Sequence, residues 1–157
     1  MTDDSSSAGL LSRLYYLGVG AVAGTVATVV MTVFRMSISR SLPPTDEFWT
    51  QLGSRVVDTD SVPDVLPALG LHVVYGAGGG AVFGAAVGPL LTGREVDRER
   101  LSTLLGTGYG LALSVFGRWV LVEWLLDQNL DPDERFVFHM GHLVYGLTLG
   151  NWFGAYE

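Results

Sequence analysis

His72 and His142 sit in the same local setting seventy residues apart. One stretch reads His72-Val73-Val74-Tyr75-Gly76 and continues to Gly80 and Phe83-Gly84; the other reads His142-Leu143-Val144-Tyr145-Gly146 and continues to Gly150 and Phe153-Gly154. Seven identities at one offset, the His and Tyr pairs among them, argue for an internal duplication. Paired imidazoles can ligate a metal or clamp a haem from both sides, and paired phenols can hydrogen-bond across helices. Arg118 is the third chemical group, set inside an apolar run, where an ionisable side chain is a candidate functional group. The candidate ligand or ion site is therefore Arg118, His72, His142, Tyr75 and Tyr145. Two histidines fall short of the three or four ligands of a zinc site. The chain has no Gly-x-Ser-x-Gly elbow, no His-Glu-x-x-His and no phosphate loop. No catalytic residue, metal ligand or cofactor is expected.

These residues are carried by apolar segments. Of 157 residues, 48% are hydrophobic and 16% charged, against about 25% charged in a soluble domain. The 21 glycines fall within the apolar runs, a habit of membrane helices. The spacing predicts an all-α protein: a four-helix transmembrane bundle with helices at about 14–36, 65–91, 101–126 and 136–155. Each is near the ~20 residues that cross a bilayer. Residues 1–12 read as a disordered tail before a single membrane domain, 13–157. Within the polar loop, Leu42-Pro43-Pro44-Thr45-Asp46-Glu47 has the signature of a helix start, with Phe48, Trp49 and Leu52 suited to the membrane interface.

The net charge is −7, and all nine basic residues are arginine. Such a chain lacks the basic face that nucleic acid requires. With no cysteine, disulfides and thiolate chemistry are excluded. Arg13 and the Arg94, Arg98, Arg100 turn oppose Arg35, Arg40, Arg55 and Arg135 in longer acidic loops. The bias of arginine toward short cytoplasmic loops places both termini in the cytoplasm of a multi-pass cell-membrane protein.

Residues four apart share a helix face. Each run then carries one stripe of small residues: Gly20, Gly24, Thr28 and Thr32; Gly76, Gly80, Gly84 and Gly88 beyond His72; Gly106, Gly110 and Ser114 leading to Arg118; Gly146, Gly150 and Gly154 beyond His142. In a bilayer such stripes permit the close van der Waals contact that drives helix association. The pattern is a glycine zipper, facing either its own bundle or a second copy. A two-helix unit returns to the same side, so the halves form two parallel two-helix repeats. The first and third runs match in two registers: Leu17-Gly18-x-Gly20 with Leu105-Gly106-x-Gly108, or Gly20, Gly24, Thr28 with Gly106, Gly110, Ser114. Counting 1.5 Å per residue puts both histidines about 9 Å, and Arg118 about 12 Å, inside the outer boundary. Arg118 is expected to point inward. Glu123, five residues on, lies about 140° round an α-helix, so it is expected to meet His139 or Arg35 instead.

The His-x-x-Tyr-Gly-x-x-x-Gly-x-x-Phe-Gly repeats, with Ala27-Thr28-x-x-Met31-Thr32-x-x-Arg35 and Leu42-Pro43-Pro44-Thr45, resemble small four-helix integral membrane proteins of haloarchaea. The acidic, lysine-free composition is of the same halophilic kind. That family has no assigned activity, so the resemblance implies a topology and no mechanism. The leading expectation is a non-enzymatic helix-bundle scaffold, or a subunit of a membrane assembly, whose partners are the lipid bilayer and copies of itself or other membrane subunits. One alternative is a small homo-oligomeric transporter or channel built on Arg118, His72 and His142. The other is a haem- or metal-binding protein using His72 and His142.

Overall fold

A computed structural model describes residues 3–39, 65–92, 97–125, 127 and 129–156. The helix start at Thr45 and Arg94 of the charged turn lie outside the described residues. Among the described residues there are four helices and no strand: α1 (Asp3–Ser39), α2 (Val65–Leu91), α3 (Arg98–Phe116, continued by a π-helical segment Gly117–Leu125) and α4 (Pro132–Ala155). The all-α class stands. Three helices are long and apolar enough to cross a membrane, at Gly9–Ile38, Leu69–Leu91 and Arg98–Leu125. Helix α4 has the length, at 24 residues, but is more polar.

Two boundaries move from their expected places. Helix α1 begins at Asp3, so the stretch expected to be a disordered tail is helical. Helix α4 starts four residues before 136. Asp131 accepts from the Glu134 amide at 2.9 Å, and the Glu134 carboxylate accepts from the Asp131 amide at 3.2 Å. With Pro132 at the first position, this is a complete capping box. Asp131→Ala is expected to cost about 1 kcal/mol, measured by denaturant unfolding in micelles.

The helices associate as two antiparallel pairs. In the first, Gly20 faces Gly80 and Gly84, and Gly24 faces Gly76 and Gly80, backbone against backbone. In the second, Gly106 faces Gly146 and Gly150, and Gly110 faces His142 and Gly146. A methyl group at any of these glycines except Gly76, which the Thr28 side chain covers, would overlap main-chain atoms of its partner. The stripes are therefore consumed inside the chain rather than left for a second copy. The contacts also relate α1 to α3 in a register that neither sequence match anticipates. Gly24 and Gly106 occupy equivalent places, as do Gly20 and Ser102, and Thr28 and Gly110: an offset of 82.

Helix α1 joins the pairs by presenting a second face to α4. Ala23, Ala27 and Met31 are buried in one core with Tyr145, Leu149 and Phe153, and Arg35 and Met31 lie against Gly141. At the centre Phe83 and Phe153, equivalent by the seventy-residue offset, meet edge to face with centroids 5.7 Å apart. Helices α2 and α3 scarcely touch. The Tyr109 ring packs on Phe83, and its hydroxyl donates to the Gly79 carbonyl at 2.9 Å.

Candidate functional site

The two histidines converge near one end of the bundle, but Arg118 does not join them. A space lined by Arg35, His72, Tyr75, Gly117, Leu121, Phe138 and His142 opens there. A second, deeper space shares His72, Tyr75 and His142 and is completed by residues that include Thr28, Gly79 and Tyr145. Each has a volume of about 30 Å³, room for about two waters.

Local structure explains who is present. On α1 the buried ridge runs Gly24, Thr28, Met31, Arg35, at spacings of four, three and four. Arg35 is only 3% exposed, and Gly141 leaves the room its aliphatic stem fills. Gly117 holds the position on α3 equivalent to Arg35 by the 82-residue offset, and its missing side chain keeps the space open beside Phe138 and His142. On α4, His142 Nδ1 lies 2.9 Å from the Phe138 carbonyl. A carbonyl only accepts, so Nδ1 carries hydrogen and Nε2, on the Gly117 side of the ring, is the acceptor of the neutral ring. His72 is buried and borders both spaces.

The tyrosines divide. Tyr145 is buried and its hydroxyl donates to the Gly76 carbonyl at 2.8 Å; Tyr75 stands at the wall of both spaces with 41% of its surface exposed. Tyr109, which sequence reasoning passed over, pairs with Tyr145 in function, since the two hydroxyls cap successive carbonyls on one face of α2. Its signal is a phenol flanked by glycines in Gly108-Tyr109-Gly110.

Arg118 points elsewhere because the helix changes type beneath it. A π-helix closes its hydrogen bonds five residues apart, so residues five apart stack above one another. Arg118 Nε donates to Glu123 Oε1 at 2.8 Å, with the side chains 25% and 32% exposed. The expected inward Arg118 is thus replaced by an ion pair on the bundle's flank, and Glu123 meets neither His139 nor Arg35. His139 Nδ1 donates instead to Ser114 Oγ at 2.9 Å, whose own hydrogen goes to the Leu111 carbonyl. Arg118→Gln is expected to cost less than about 1 kcal/mol and to leave the oligomeric size unchanged, read from unfolding curves and native mass spectrometry.

The glycines four residues beyond each histidine are covered by the opposing helices: Thr28 lies over Gly76, and Gly106 over Gly146. Among the described residues, no group of three or more His, Asp or Glu is placed to hold a metal ion. Arg35 lines the same space as both imidazoles, a poor neighbour for a bound cation.

The fold and site together define a helical bundle, of which three helices are long and apolar enough to cross a membrane, with a small polar chamber at one end. The chain matches no protein-family model, no curated protein and no solved structure.

Proposed function

We infer that this is a four-span integral membrane protein of the cell membrane, with both termini cytoplasmic, acting without enzymatic activity as a scaffold or subunit of a membrane assembly. The halophilic composition and the repeat motifs accord with the haloarchaeal type of small four-helix protein. The matching glycine contacts, at offsets of 70 and 82, support two parallel copies of one hairpin. One observation carries the assembly reading. With the glycine stripes spent internally, the outer face of α3 and α4 still bears a groove of about 440 Å³ lined by Thr103, Leu147, Thr148, Asn151 and Trp152. Asn151 is exposed there. Polar side chains on an outward membrane face serve as hydrogen-bonding glue between helices, so a second copy or another membrane subunit suits this groove. Nucleic acid does not figure among the partners.

The natural absence of cysteine makes the test direct. Asn151→Cys, treated with a bis-maleimide in native membranes, is expected to give a cross-linked dimer or hetero-complex; Val74→Cys, on an exposed apolar position, is expected to give none. Monomer alone from Asn151→Cys would remove the reading. The second reading, a small transporter, is favoured by the polar chamber and centres on Arg35, His72 and His142.

A further inference from the structure

We propose that the outer end of the α3–α4 pair binds the headgroup of one zwitterionic phospholipid, its phosphate held by Arg118 and Arg135 and its ammonium by Glu123 and Asp131. The proposal rests on the reading of the chain as membrane-spanning and not on the assembly role.

The antiparallel pairing brings the two cations together. His139 Nδ1 meets Ser114 Oγ. Arg118 lies four residues beyond Ser114 and Arg135 four before His139, so both sit about one turn further out on facing helices. The charges of both reach the His139 ring. Each guanidinium carries five N–H groups and spends one of them inside the chain, Arg118 Nε on Glu123 and Arg135 Nη2 on the Leu130 carbonyl. Among the described residues Arg135 forms no salt bridge, and its Nε is buried with no hydrogen-bond partner. The planar fork of a guanidinium matches the oxygens of a phosphate. Trp119, Trp124 and Phe136 belong to the same turns and are largely exposed; aromatic rings favour the headgroup layer of a bilayer, where lipid phosphates lie.

The carboxylates select the kind of phospholipid. Glu123 lies five residues beyond Arg118, and Asp131 four before Arg135, so each stands about one turn nearer the water than its arginine. Each is engaged through one oxygen, Glu123 Oε1 with Arg118 and Asp131 Oδ1 with the Glu134 amide. Cations on the membrane side and carboxylates on the water side repeat the order of a headgroup whose phosphate is followed outward by an ammonium. A purely anionic headgroup would set its outer part against the two carboxylates. Asp133, two residues before Arg135, lies about 200° round the helix and faces away, and Glu134 is turned back on the Asp131 amide.

The test is native mass spectrometry of the full chain released from detergent micelles, with dioleoyl phosphatidylethanolamine, dioleoyl phosphatidylglycerol or dioleoylglycerol added in series. One saturable phosphatidylethanolamine adduct, held more tightly than phosphatidylglycerol and absent with dioleoylglycerol, would support the site. Arg135→Gln and Arg118→Gln are each expected to weaken the adduct about tenfold. Arg13→Gln, exposed at the other end of the bundle, is expected to leave it unchanged. Asp131→Asn keeps a capping side chain and removes the charge, so the fold stands and the preference over phosphatidylglycerol should disappear. Wild-type retention in Arg135→Gln, equal retention of dioleoylglycerol, or displacement of the lipid by an equal concentration of free phosphorylethanolamine would overturn the lipid site. A preference unchanged in Asp131→Asn would overturn the ammonium assignment. Release of the protein from native membranes by alkaline carbonate would overturn the membrane reading and the site with it; a carbonate-resistant protein without lipid selectivity would overturn the site alone.

Discussion

Gly80→Leu is expected to prevent the protein from folding, and Gly80→Ala to cost on the order of 3 kcal/mol, the upper range for overpacking a filled interior. The reason lies in what surrounds the missing side chain. A Cβ at Gly80 would meet the carbonyl oxygen of Gly20 and the main-chain atoms of Gly24. Those are backbone groups of a continuous helix, so no rotamer change relieves the overlap, and the helices must separate along the whole crossing. Dispersion between close backbones supplies the attraction that lipid does not, and a gap of about an ångström forfeits up to about half of it. The same argument applies at Gly146, which faces Gly106 and Gly110 in the second pair. Gly78 and Gly108 provide the controls. Both point into open space, and leucine at either is expected to change stability by no more than about 1 kcal/mol. Unfolding by sodium dodecyl sulfate, followed by circular dichroism, separates the two classes. Loss of assembly size with the fold intact in Gly80→Ala would show that the stripe serves a second copy instead.

Phe153→Ala is expected to cost about 3–5 kcal/mol, and Phe83→Ala a comparable amount. Phe153 is fully buried and Phe83 is 2% exposed. Each ring abuts the other, Phe83 also meets Tyr109, and Phe153 also meets Tyr16. Truncating either leaves a void in a ring cluster to which all four described helices contribute. Because the two rings share an edge-to-face contact, the double variant should fall short of the sum by about 0.5–1.5 kcal/mol. Strict additivity in the same unfolding assay would mean that the cluster collapses around the first cavity.

Glycine at every fourth position told the sequence reader which face of each helix is narrow, because that face is a matter of spacing alone. It did not tell which helix fills it, since any small-residue ridge accepts any other. The seventy-residue match was legible in α2 and α4, where His, Tyr and Phe mark its register. In α1 and α3 the offset of 82 aligns Gly20 with Ser102 and Thr28 with Gly110; Gly24 with Gly106 is the identity on the packed stripe, and the others, Thr25 with Thr107, Val33 with Val115 and Phe34 with Phe116, are common apolar or small residues that mark no register. The site was half legible. Both histidines were found; their cation was not. Angular arithmetic at 3.6 residues per turn fails across Gly117–Leu125, and nothing in Gly-Arg-Trp-Val-Leu-Val-Glu-Trp-Leu announces a π-helix. Arg35 was readable on the ridge through Met31, but the stripe drawn through Thr32 passes it by.

The double use of α1 has a consequence for how the protein is made. A chain synthesised from its N-terminus completes the α1–α2 hairpin while α4 is still in the ribosome, so the second flank of α1 waits uncovered until translation is nearly over. Arg35 belongs to that flank, four residues from the end of its helix. In the bilayer inferred above, a guanidinium there would reach the headgroup layer on its own stem, which would keep the nascent hairpin tolerable in lipid. Only the last helix to emerge draws this cation inward, under Gly141, and the chamber comes into being as the final act of biogenesis.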